Sequence, residues 1–82
     1  MKIKELLKEK NEIIIVLNES NKKSFLKQAK SENFKWISGD EIDENNDCFF
    51  HILVKNDLTI ANLSTMVLVQ SNEFNQVERI EY

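Results

Sequence analysis

The sequence predicts an α+β domain: a small antiparallel or mixed sheet of four to five strands, with one main packed helix and a short N-terminal helix. Three observations lead there. A chain of 82 residues holds too little apolar mass for two cores, so residues 1–82 are expected to form a single domain. Two stretches place apolar side chains at helical spacing, whereas several short runs are β-branched or aromatic with period two. No proline and only one glycine interrupt the chain, and 41% hydrophobic residues supply a core that a disordered tail would lack.

Ile3, Leu6 and Leu7 fall at i, i+3 and i+4 between lysines and glutamates, which predicts a short amphipathic helix within residues 2–10. Residues 12–17 (EIIIVL) are almost wholly apolar and β-branched, as in a central strand covered on both faces. Ser20 or Asn21 can cap the helix that follows, in which Phe25, Leu26 and Ala29 form the buried side. Lys23, Lys27 and Lys30 line its solvent side at i, i+4 and i+7. Asn33 suits a left-handed helix stop, and residues 34–37 begin a strand with Phe34 and Trp36 on one face before Ser38-Gly39 breaks it. Residues 48–54 (CFFHILV) make the next strand, apolar on both faces. Lys55-Asn56-Asp57 then turns the chain into an antiparallel strand over residues 58–61. Residues 64–76 fit either a strand around Met66 to Val69 or a short helix capped by Ser64 or Thr65. Residues 77–82 close the sheet as a terminal strand.

Charge divides the chain. The net charge is −3, yet residues 1–35 carry nine lysines against five glutamates, while residues 36–82 carry Lys55 and Arg79 against nine acids. Asp40, Glu41, Asp43, Glu44 and Asp47 concentrate negative charge in one loop. A polybasic nucleic-acid arm is missing, and the whole-chain charge opposes approach to duplex DNA. No apolar run approaches the roughly 18 residues that span a bilayer. The first lysines are not followed by the apolar core and small-residue cleavage site of a secretory signal. A cytoplasmic protein without membrane contact is therefore expected.

The residues offer little purchase for catalysis or cofactors, and the sequence predicts no enzyme, no metal and no cofactor. Asp43, Asn45 and Asp47 match positions 1, 3 and 5 of an EF-hand loop, but Cys48 stands where that loop needs glycine and Val54 where it needs a bidentate glutamate. One cysteine makes no internal disulfide, and Cys48 beside an acidic loop is a poor thiolate. His51 lies mid-strand between apolar neighbours, the setting of a structural histidine. The serines sit in no nucleophile-elbow pattern, and Gly39 alone builds no phosphate-cradling loop. Phe34, Trp36, Phe49 and Phe50 have the volume a core of this size requires, although aromatic sheets also stack on bases.

The run from Ser24 to Gly39, SFLKQAKSENFKWISG, resembles a pattern found in small proteins of phages and mobile elements of AT-rich Gram-positive bacteria, in which an amphipathic helix ends in a Phe-Lys-Trp strand and a Ser-Gly turn. The strands over residues 48–54, 58–61 and 77–82 are similar to that group in order and spacing. After Asn62 the chain departs from the pattern by being more apolar. The resemblance implies a βαβββ-like α+β fold and a role in blocking a host antiviral system, as anti-CRISPR proteins do, in the cytoplasm of a bacterial host. No catalytic residue carries over.

These readings lead to a non-enzymatic inhibitor of a host defence protein, in which Asp40, Glu41, Asp43, Glu44 and Asp47 present carboxylates in place of a phosphate track. The alternative is an oligomeric sponge for a nucleotide immune signal, held by Lys23, Lys27, Lys30 and the ring of Trp36. A homodimer through Leu63, Val67 and Val69 is expected from the surplus apolar area of that segment.

Overall fold

Ile13, Ile14 and Ile15 are completely buried on consecutive positions, so both faces of their strand are covered and the sheet must separate two apolar layers. The computed structural model describes residues 2–70 and 74–82. Within them the order is α1 (Ile3–Leu7), β1 (Glu12–Val16), α2 (Lys22–Ser31), β2 (Lys35–Trp36), β3 (His51–Lys55), β4 (Thr59–Leu63), α3 (Thr65–Gln70) and β5 (Arg79–Glu81). The fold is α+β, with five strands in one mixed sheet and three helices among the described residues.

The strand order is β2-β4-β3-β1-β5. β3 pairs antiparallel with both β1 and β4, so the hairpin read through Lys55-Asn56-Asp57 is present, with Val54 opposite Ile60. The outer strands are parallel to their neighbours: β2 to β4, and β5 to β1, where Ile15 faces Ile80. β1 is an interior strand, flanked by β3 and β5, and β3 holds the middle position.

The larger apolar layer joins Ile13, Ile15, Ile52, Val54 and Ile60 of the sheet to Ile3 and Leu7 of α1 and to Phe25, Leu26 and Ala29 of α2. Tyr82 meets Phe25 edge to face, with ring centroids 5.4 Å apart. The second layer packs Ile14, Leu53 and Leu63 against Leu68 of α3, with Phe74 and Val77 at its rim. Residues 65–70 are thus helical, and the Ser64 hydroxyl caps them by accepting the Val67 amide at 3.1 Å. The part of the 64–76 stretch over residues 71–73 lies outside the described residues.

Several local expectations change. Asn21 sits at the start of α2 but caps nothing, because its Oδ1 accepts the Asn18 amide at 2.8 Å and its Nδ2 donates to the Tyr82 carbonyl. The third strand begins at His51 rather than Cys48, since the Phe49 amide donates to the Asn62 side chain instead of to a ladder. The fourth begins at Thr59 and runs to Leu63, because Leu58 has a left-handed φ of 67° that belongs to the turn. Asn33 has the expected positive φ, 67°, after α2.

Candidate functional site

The acidic loop is a built structure with its side chains sorted by polarity. Gly39 opens it at φ 95°, a conformation that favours glycine, and its amide donates to the Trp36 carbonyl at 2.7 Å. Ile42 is 1% exposed and Cys48 is buried, so one apolar side chain within the acidic run and one just after it enter the main core. Between these anchors an Asx turn forms: Asp43 Oδ1 accepts the Asn45 amide at 2.8 Å, and the Asn46 amide donates to the Asp43 carbonyl. Asn46 Oδ1 accepts both the Asp43 amide at 2.8 Å and Trp36 Nε1 at 2.9 Å, which ties the turn to β2. Asp40, Glu41, Asp43, Glu44 and Asp47 all remain exposed on this frame.

The loop has two unlike flanks. On one side Trp36, Ile37, Asp40, Asn46, Asp47 and Ala61 border an open cleft of about 440 Å³. Ile37 is 60% exposed there, which puts apolar surface directly beside two carboxylates. On the other side Lys27 and Lys30 of α2 share a cleft of about 310 Å³ with Asp43, Glu44 and Asn45, while Lys23 borders the next one with Glu44 and Asp47. The basic stripe and the acidic loop are neighbours. Glu41 alone of the five acids has an ion-pair partner among the described residues, Lys35 at 3.6 Å. Asp43 and Glu44 oppose an anion in the cleft they share with Lys27 and Lys30, and Trp36 lines a different one, so within a single chain these lysines and Trp36 do not share a pocket.

Cys48 and His51 share a third cleft with Lys22, Phe49, Phe50 and Ser64. Burial pushes the Cys48 thiol up, the charges of Glu19 and Asp47 add to that, and Lys22 opposes it. A protonated, buried thiol is a weak nucleophile. Lys22 Nζ lies 4.0 Å from the centroid of the Phe50 ring, on a side chain that stays 45% exposed. Among the described residues no three His, Cys, Asp or Glu side chains gather where a metal ion would sit. None of their helices is long and apolar enough to cross a membrane.

Of the residues expected to self-associate, Leu63 is 7% exposed and belongs to the second apolar layer, whereas Val67 and Val69 are 42% and 78% exposed on the outer side of α3. Two contributors escaped the sequence reading. Asn46 holds the loop and Ile37 supplies its apolar border; the Asp-Glu-Asn-Asn-Asp composition of an Asx turn was the available signal for Asn46, and none marked Ile37 as exposed. No protein-family model matches the chain, and no curated protein and no solved structure matches it.

Proposed function

We propose that this protein is a non-enzymatic binding module whose acidic loop docks on a basic, nucleic-acid-binding surface of a partner protein and occludes it. The target that the phage-protein resemblance implies is a host antiviral defence protein. The observation that supports this reading is the cleft beside Trp36, which Asp40 and Asp47 line together with the indole and the exposed Ile37. An arginine or lysine fits such a place chemically: its stem lies on the apolar wall, its cation reaches the carboxylates, and a guanidinium stacks on the indole face. Neighbouring Glu41, Asp43 and Glu44 extend the negative surface from that anchor.

Order in the loop bears on affinity. Ile42, Cys48 and Asn46 hold its backbone before any partner arrives, so little loop-ordering entropy is lost on binding. The nucleotide-sponge reading gains no comparable support, because carboxylates line the Lys27 and Lys30 cleft.

The experiment is capture of partners on the immobilised chain from a lysate of a defence-competent bacterium, with identification by mass spectrometry. A nucleic-acid-binding protein released by added duplex and by salt, and not retained by a variant with Asp40, Asp43 and Asp47 changed to Asn and Glu41 and Glu44 to Gln, supports the proposal. Equal retention by that variant removes it.

A further inference from the structure

The two edges of the sheet are treated differently. At β2 the Trp36 amide points outward and donates to the Asp40 carbonyl at 3.0 Å, and Lys35 forms an antiparallel bridge with Glu41. The acidic loop thus folds back over that edge and blocks it. At β5 nothing equivalent occurs among the described residues. The Ile14 amide donates to the Glu78 carbonyl at 2.9 Å and the Tyr82 amide to the Val16 carbonyl at 3.1 Å. Because parallel pairing uses alternate residues, the amide and carbonyl of Arg79 and of Glu81 point away from β1. Both residues are exposed, and neither side chain has an ion-pair partner among the described residues.

We propose that β5 is a self-association edge, at which two copies of this chain pair antiparallel about a two-fold axis through Ile80. That register places Arg79 opposite Glu81 of the second copy at both ends, each a hydrogen-bonded pair that exchanges two backbone bonds. Ile80 meets Ile80 on the face of the larger apolar layer. The outward groups that β1 leaves unused are the ones such a register consumes.

The order Arg-Ile-Glu selects a second copy as the occupant. Read in reverse it is its own charge complement, so both cross-strand pairs are opposite in sign. Edges guarded against pairing carry charges that repel or resist an added strand, most often lysine. A Lys-Ile-Lys edge would repel its own copy, and this one attracts it. The net charge of −3 on each chain acts over long distances that salt screens beyond about 8 Å at physiological ionic strength. The cross-strand pairs, with Cβ atoms roughly 5 Å apart, act inside that range.

Sedimentation equilibrium of the full chain from micromolar to millimolar concentration tests the proposal. The wild type is expected to move from 9.7 kDa toward twice that mass. Arg79→Glu alone and Glu81→Arg alone each oppose like charges and are expected to stay monomeric. An equimolar mixture of those two variants restores complementary pairs and is expected to form a heterodimer, and the chain carrying both changes is expected to form a homodimer again. A wild type that stays monomeric, a dimer that survives Arg79→Glu, a mixture that fails to associate, or a dimer lost instead with Val67→Lys and Val69→Lys would each overturn it. So would protection of the Arg79 and Glu81 amides from exchange only when a different protein is added.

Discussion

The carboxylate of Glu32, just past the C-terminal end of α2, accepts the amide of Ile3 at 2.7 Å and that of Lys4 at 2.9 Å, and so caps a helix 28 residues earlier in the chain. α1 has only five residues, and Lys2 at its start provides no side-chain cap. A helix this short does not hold itself in water. Glu32 fixes its first turn against α2, and Gln28 Nε2 donates to the same carboxylate at 2.6 Å. Ile3 and Leu7 then close the main core.

Glu32→Ala is expected to cost about 1–3 kcal/mol, the range for leaving buried amides without an acceptor. Burial by itself raises this carboxyl, but the bonds from Gln28, Lys4 and Ile3 and the Lys4 charge outweigh it and hold the group below the ordinary glutamate range. A depressed folded-state pKa means stability that is complete above the unfolded value and lost as pH falls through the folded one. Urea midpoints measured from pH 7 down to pH 2 should therefore fall less steeply for Glu32→Gln than for the wild type.

Backbone strain yields the second prediction. Lys8 has φ 53° and ψ −125°, the first central position of a II′ turn, and the Lys10 amide closes that turn on the Leu7 carbonyl at 3.0 Å. Glycine is the residue suited to that conformation, and Lys8 is exposed. Lys8→Gly should raise stability by about 1 kcal/mol, read as a higher urea midpoint. Leu58, at φ 67°, gives the contrast. Its side chain packs on the main core, so Leu58→Gly should lower the midpoint despite relieving the backbone.

The two sides of α3 should respond in opposite ways. Leu68 fills the second apolar layer between Ile14, Leu53 and Leu63, and Leu68→Ala should cost about 2 kcal/mol or more. Val67 faces outward, and Val67→Ala should fall within about 0.5 kcal/mol of the wild type. Equal losses at both positions, measured by chemical denaturation, would contradict the helical placement of residues 65–70.

Periodicity made much of this fold legible. Ile13 to Ile15 read as a strand buried on both faces because no polar side chain interrupts them, and Phe25, Leu26 and Ala29 marked the inner side of α2. Long-range pairing left no such trace. Nothing local to residues 77–82 indicates that β5 lies parallel beside β1, and nothing near Glu32 shows that it meets the amide of Ile3. Lys8 and Leu58 are not residues that announce a positive φ, so only tertiary context reveals those turns. The five acids were plain in the sequence. Their proximity to Lys27 and Lys30 required the fold.

The acidic loop allows a test that needs no partner. Trp36 is the only tryptophan of the chain, and its cleft is bordered by Asp40 and Asp47, whereas Lys27 and Lys30 line another. A local negative potential raises the concentration of small cations beside the indole and lowers that of anions. Caesium should therefore quench Trp36 fluorescence more efficiently than iodide, each measured against a free tryptophan amide at the same ionic strength. Changing Asp40 and Asp47 to Asn should remove most of the difference while leaving the stability within about 0.5 kcal/mol of the wild type, since both side chains are exposed. Asn46→Ala keeps both carboxylates but frees the indole N–H and the Asp43 amide. It should shift the emission maximum and speed amide exchange at Asp43 while the preference for caesium survives. Equal quenching by both ions in the wild type would show that the carboxylates do not set the potential at Trp36, and the cleft would lose its claim to seat a basic side chain.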